Sequence, residues 1–154
     1  MDKTTFEQLY LTLLPGLYRL ARSILHSDAD AQDAVQQAAV NAWQAVDRLR
    51  AGSEKAYIMR ILIHECRNIQ RQRMRVVPIA DFPDRAEESP NDTIREALDT
   101  LPEKLRLPLL LKYMEGWSEH DIAAALHITG YAVKSRLRRG RVMLATALKE
   151  EDAL

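Results

Sequence analysis

Tyr131, Lys134, Ser135 and Arg138 recur at spacings of three, four and seven near the end of a 154-residue chain. On a helix that periodicity gathers them on one face. A phenol, an ammonium, a hydroxyl and a guanidinium side by side can bond phosphate oxygens and base edges, and a helix carrying them fits a major groove. Arg136, Arg139 and Arg141 crowd the same segment and suit phosphates or solvent. Between Ile122 and Lys149 there is no acidic residue to oppose this charge.

A second set lies upstream, where Arg60, His64, Arg67, Asn68, Arg71 and Arg75 make a basic, hydrogen-bonding face. The opposite face carries Ile58, Leu62, Cys66 and Ile69 at core spacing, with Tyr57 and Ile61 beside them. Alone, such a stripe is a solvated surface; paired with another basic helix beyond a linker, it suits nucleic acid. Trp43, Tyr57 and Tyr113 stand at helical core spacing and are expected in the core rather than stacked on bases.

No chemistry of bond making is written into the chain. His26, His64, His120 and His127 do not pair with cysteine or carboxylates at ligand spacing, so no metal site is expected. Cys66 lies among apolar positions and reads as a small core residue. There is no glycine-rich phosphate loop, no Ser-His-Asp arrangement and no convergent acid pair on rigid elements. The expectation is a non-enzyme with no cofactor and no small-molecule substrate.

The elements that must position these faces are helical. Phe6, Leu9, Tyr10, Leu13 and Leu14 form one apolar stripe, which Pro15 is expected to end or restart, and Leu17, Leu20, Ala21 and Ile24 form a second. Ser27 caps a third helix through Ala34, Val35, Ala38, Ala42, Trp43 and Val46. Ala51-Gly52 breaks the pattern, and Ser53 is placed to cap a fourth helix ending near Arg75. From Val76 to Pro90 periodicity vanishes, and Pro78, Pro83 and Pro90 alternate with Asp81, Asp84, Glu87 and Glu88. An extended linker of that length spans roughly 50 Å.

Helical patterning returns at Thr93 to Thr100 and from Pro102 to Glu115, with Gly116 as a left-handed stop and Pro108 as an unexplained interruption. Ser118 and Thr129 can then cap two short helices packed through Ile122, Ala123, Leu126, Ile128, Val133 and Leu137, a helix-turn-helix. The organisation is all-α, with a four-helix domain over 1–75, an acidic proline-containing linker over 76–92 and a helix-turn-helix domain over 93–154.

The formal net charge is zero, so affinity for nucleic acid must come from local patches rather than bulk charge. The single Cys66 excludes an internal disulfide, the amino terminus lacks the segments of a signal peptide, and no apolar run approaches the roughly 20 residues of a membrane span. A cytoplasmic protein without direct membrane insertion is expected.

In the first domain Leu17-Tyr18-Arg19-Leu20-Ala21-Arg22, Asp30-Ala31-Gln32-Asp33-Ala34-Val35-Gln36-Gln37 and Ala42-Trp43 resemble region 2 of the sigma-70 family. In the second, Ala97-Leu98-Asp99-Thr100-Leu101-Pro102-Glu103-Lys104, Tyr113-Met114-Glu115-Gly116 and Val133-Lys134-Ser135-Arg136-Leu137 resemble region 4. Two such blocks in this order resemble the extracytoplasmic-function sigma factors, small bacterial transcription initiation factors.

The resemblance implies that Asp30, Asp33, Gln36 and Gln37 dock on the clamp helices of core RNA polymerase. It places the polar face over Arg60 to Arg75, chiefly Arg60, His64, Asn68 and Arg71, with the loop from Leu49 to Lys55, on the −10 element and its melted strand. It places Tyr131, Lys134, Ser135 and Arg138 on the −35 element, threads the acidic linker through polymerase, and adds an anti-sigma factor as partner. Gln32, Gln37, Ala38-Ala39, His64, Asn68, Gly130 and Tyr131 depart from the family pattern, and His127 stands in the turn where glycine is common, a strained position. Two other readings are a stand-alone helix-turn-helix regulator, which would bind duplex DNA without polymerase, and a helical module binding an acidic protein.

Overall fold

The computed structural model describes residues 1–75 and 92–152, all of whose regular elements are helices. The chain divides into two compact units, Met1–Asp84 and Arg85–Leu154. The expected linker lies outside the described residues, except Asp92, which begins a helix.

The first unit holds α1 (Lys3–Leu25), α2 (Asp28–Gln44), a 3-10 turn (Val46–Arg48) and α3 (Glu54–Arg75). The two stripes expected on either side of Pro15 belong to one helix, so the described residues of this unit form three α-helices rather than four. A proline inside a helix costs about 3 kcal/mol. Against that, Phe6 and Tyr10 before it and Leu17, Leu20, Ile24 and Leu25 after it are all buried, each contributing about 1.5–3 kcal/mol, and Pro15 itself is exposed, away from this core.

The α1 helix starts at Asp2, whose carboxylate accepts the Thr5 N–H at 2.7 Å, and stops at His26 in the left-handed region, φ 56°. Ser27 caps α2 as expected, accepting the Asp30 N–H at 3.3 Å. Tyr18 and Arg22 of α1 both donate to the Asp28 carboxylate in the first turn of α2, closing the α1–α2 corner. The buried residues of α2 are Ala31, Ala34, Val35, Ala38 and Ala42, a small-residue face that lets α1 and α3 approach closely.

Ser53 opens α3, its carbonyl accepting the Tyr57 N–H at 3.0 Å; its hydroxyl donates back to the Arg50 carbonyl, while the Gly52 N–H, at φ 88°, donates to the Glu54 carboxylate. Ile58, Leu62 and Cys66 are buried as expected, joined by Ala56 and Met59; Tyr57, Ile61 and Ile69 are half-buried.

The second unit contains α4 (Asp92–Asp99), α5 (Glu103–Leu109), a π turn (Leu110–Met114), α6 (Glu119–Leu126) and α7 (Gly130–Asp152). The chain passes through the buried Pro108 and widens two residues later: the Glu115 N–H donates to Leu110 O at 3.1 Å, five residues back. Gly116, at φ 71°, makes the expected left-handed stop, and the Trp117 N–H returns to Leu111 O at 2.9 Å. Arg106 is buried in this core and donates to the Leu101 carbonyl at 2.7 Å, joining α5 to the end of α4; burial lowers its pKa.

The Tyr10 hydroxyl donates to the Val35 carbonyl at 2.5 Å, bridging α1 and α2, and burial pushes its pKa up to about 12 from 10.0. The folded state therefore holds this proton more tightly than the unfolded chain, a stability complete below pH 10 and lost as pH rises through about 12. Alkaline titration of helicity should show Tyr10→Phe losing less stability than the parent between pH 10 and 12; equal losses would contradict this role.

Candidate nucleic-acid interface

Two caps and one strained turn build the helix-turn-helix. Ser118 Oγ accepts the Asp121 N–H and Thr129 Oγ1 accepts the Ala132 N–H, each at 3.1 Å, as the sequence indicates. His127 ends α6 at φ 57°, the left-handed geometry expected in the turn. Ile122, Val133 and Leu137 are buried to 1% exposure or less, with Ala125 and Trp117 beside them, while Ala123, Leu126 and Ile128 are half-buried.

With its inner face fixed, α7 presents the expected outer one. Tyr131 is 84% exposed, Lys134 and Arg138 are exposed, and Ser135 is half-buried; all four line one open hollow with Glu119 of α6 and Arg141. Arg136 and Arg139 do not line it. Arg141 thus joins the outer stripe rather than its flank, and its Nη1 donates to the Tyr113 hydroxyl at 2.9 Å.

On α3, His64 and Arg71 are exposed and Arg60, Arg67 and Asn68 half-buried, a face four residues in period. The Arg60 guanidinium lies 5.5 Å from the Tyr57 ring centroid, Arg67 donates to Gln70 Oε1 at 3.1 Å, and Arg71 donates to Asn68 Oδ1. The Arg75 side chain lies outside the described residues. Arg73, from the same basic run, turns inward: it pairs with Asp30 and donates to Leu25 O at 2.9 Å, tying the end of α3 to the α1–α2 corner.

The α2 set and the α3 set share one hollow. Asp30, Asp33 and Gln37 line it with Glu65, Asn68 and Arg71, whereas Gln36, also exposed on α2, does not. Asp30 is engaged by Arg73, leaving Asp33 as the exposed carboxylate of the four-residue set. Gln37 donates to Asn41 at 3.0 Å, and Asn41 donates to the nearly buried Glu65 at 2.6 Å.

Two aromatic expectations are corrected. Trp43 is 38% exposed, edge-on to Phe6 at 5.5 Å with the Lys3 ammonium 5.3 Å from its ring, and Tyr113 is 57% exposed because the π turn shifts it out of core register. Cys66 is buried as expected. No described helix is long and apolar enough to cross a membrane.

These two faces coincide with two family regions. Residues 9–76 match the model of sigma-70 region 2, and residues 91–144 that of sigma-70 region 4. The chain is 30% identical to the ECF RNA polymerase sigma factor SigM of Mycobacterium tuberculosis, covering 96% of this chain and 79% of that one. It is 28% identical to the RNA polymerase sigma-H factor of Pseudomonas aeruginosa, over 96% and 88% of the two chains. Among solved structures it resembles the sigma factor RpoE of Bartonella quintana, in complex with the anti-sigma factor NepR, at a TM-score of 0.77 and 29% identity over 94% and 97%. It also resembles CnrH, in complex with the cytosolic domain of CnrY, at a TM-score of 0.74 and 25% identity over 97% and 90%. The chain belongs to the sigma-70 family, among its extracytoplasmic-function sigma factors, which direct transcription initiation.

A left-handed non-glycine residue carries about 1 kcal/mol or more of backbone strain. Replacing His127 with glycine should therefore stabilise the second unit by about 0.5–1 kcal/mol in thermal unfolding. A loss of stability would show that the imidazole contributes more to the fold than its backbone strain costs.

Proposed function

We propose that the two units divide promoter recognition between them. Residues 1–75 dock on core RNA polymerase and hold the −10 element, 76–92 form the linker, and 93–154 read the −35 element. The observation that carries this reading is the outer stripe of α7, where Tyr131, Lys134, Ser135, Arg138 and Arg141 line one hollow above a helix anchored by Val133 and Leu137. Arg136 and Arg139 add phosphate contacts from its flank.

On the first unit, Arg60, His64, Arg67, Asn68, Arg71 and Arg75 meet the −10 element, where capture of unstacked bases favours the open duplex. Asp33, Gln36 and Gln37 meet polymerase directly, and Asp30 joins them by exchanging Arg73 for a polymerase cation. The factor works by differential binding in the cytoplasm and makes no covalent bond. The similar sigma factor RpoE, crystallised with the anti-sigma factor NepR, supports such an inhibitor here too, covering these faces until a signal removes it. Membership of a two-region polymerase family weighs against a stand-alone regulator and against an acidic-protein module.

Lys134→Ala and Arg138→Ala should each weaken promoter binding by holoenzyme about tenfold, as loss of a base or phosphate contact does, with binding of the factor to core polymerase unchanged. Loss of polymerase binding in these variants would reject the division of labour.

Arg71→Ala should leave closed-complex affinity near that of the parent and slow open-complex formation, read by permanganate reactivity of unpaired thymines. Unchanged melting would remove Arg71 from the −10 face.

A further inference from the structure

The bond between Tyr113 and Arg141 joins two segments to which the sequence assigns no joint role, one a core helix and the other a phosphate-facing flank. We propose that Tyr113 is a positioning residue for DNA recognition, its phenol oxygen holding the Arg141 guanidinium on the promoter-facing stripe of α7. This rests on the reading of α7 as the −35 helix.

Three features fix the pair. Gly140, next to Arg141, lets α7 approach α5 closely: a Cβ there would stand 2.9 Å from Leu109 Cδ1 and 3.3 Å from the Leu105 carbonyl. The π turn begins at Leu110, the residue after that contact, and carries Tyr113 to the surface. Arg141 Nη1 then reaches the Tyr113 oxygen at 2.9 Å. Such single π turns inside helical segments recur at functional sites, and the consequence visible here is the register of Tyr113 and its neighbours.

The pair lengthens the recognition surface. From Tyr131 to Arg141 is about ten residues, roughly 15 Å of helix along a groove. Because the phenol oxygen takes only one of the Arg141 N–H groups, the guanidinium keeps further N–H groups for the phosphates of the strand. A long cation restrained before binding loses less rotamer freedom on docking than a solvated one, so the hydroxyl adds affinity without touching a base.

The test uses holoenzyme made with the full-length chain and a promoter duplex recovered from run-off transcription, with affinity measured across about 50–300 mM salt. Tyr113→Phe keeps the ring and removes the oxygen; its thermal midpoint, matched to the parent, verifies folding. Tyr113→Phe should weaken binding about three- to tenfold and lower the salt slope toward that of Arg141→Ala. The double variant should match Arg141→Ala alone, because both changes remove one contact. Parental affinity in Tyr113→Phe, or effects that multiply in the double variant, would overturn the proposal. If Lys134→Ala weakens binding and Arg141→Ala does not, this inference falls and the α7 reading stands; if Lys134, Arg138 and Arg141 are all dispensable, both fall.

Discussion

A helix can offer a precise polar face only if its other face is locked in place, and both α3 and α7 obey that constraint. On α3, Ile58, Leu62 and Cys66 are fully buried against the small-residue face of α2. On α7, Val133 and Leu137 are buried against the core that Ile122 and Ala125 of α6 share. Each large apolar side chain among them contributes about 1.5–3 kcal/mol, more than a surface hydrogen bond on the opposite face. Packing therefore sets the rotation of each helix, and that rotation decides which cations face outward.

The charged residues divide by the same rule. Arg22, Arg73 and Arg106 are tied to carboxylates or helix-end carbonyls and stabilise the fold, while Arg71, Lys134, Arg138 and Arg141 are exposed. A chain with zero net charge attracts DNA weakly at long range, since charges separated by more than about 8 Å are screened at physiological salt. In the proposed reading, specificity comes from polymerase holding both faces against one promoter at once, which raises their effective concentration for each other.

Much of this was legible in the residues. Ser27, Ser118 and Thr129 behave as caps, Gly116 and His127 take the left-handed positions, and the stripe of Tyr131, Lys134, Ser135 and Arg138 is a periodicity that needs no tertiary information. Pro15 misled because local propensity is outweighed by burial on both sides of it, a sum that no single window contains. Tyr113 misled because one π turn after Pro108 shifts helical phase, and spacing counted at about 3.6 residues per turn then assigns the wrong face. Arg73 and Arg71 look alike in a basic run, and only the position of Asp30 and of the α1 carboxyl end separates a structural arginine from an exposed one.

In the proposed function, one chain supplies both promoter contacts while bound to polymerase. Run-off transcription with core RNA polymerase on a library of promoter fragments, with and without the protein, tests it most directly. New start sites should appear only with the factor and share two upstream elements at fixed spacing. Specific binding of the protein alone to duplex DNA, with no association with core polymerase and no new starts, would contradict it.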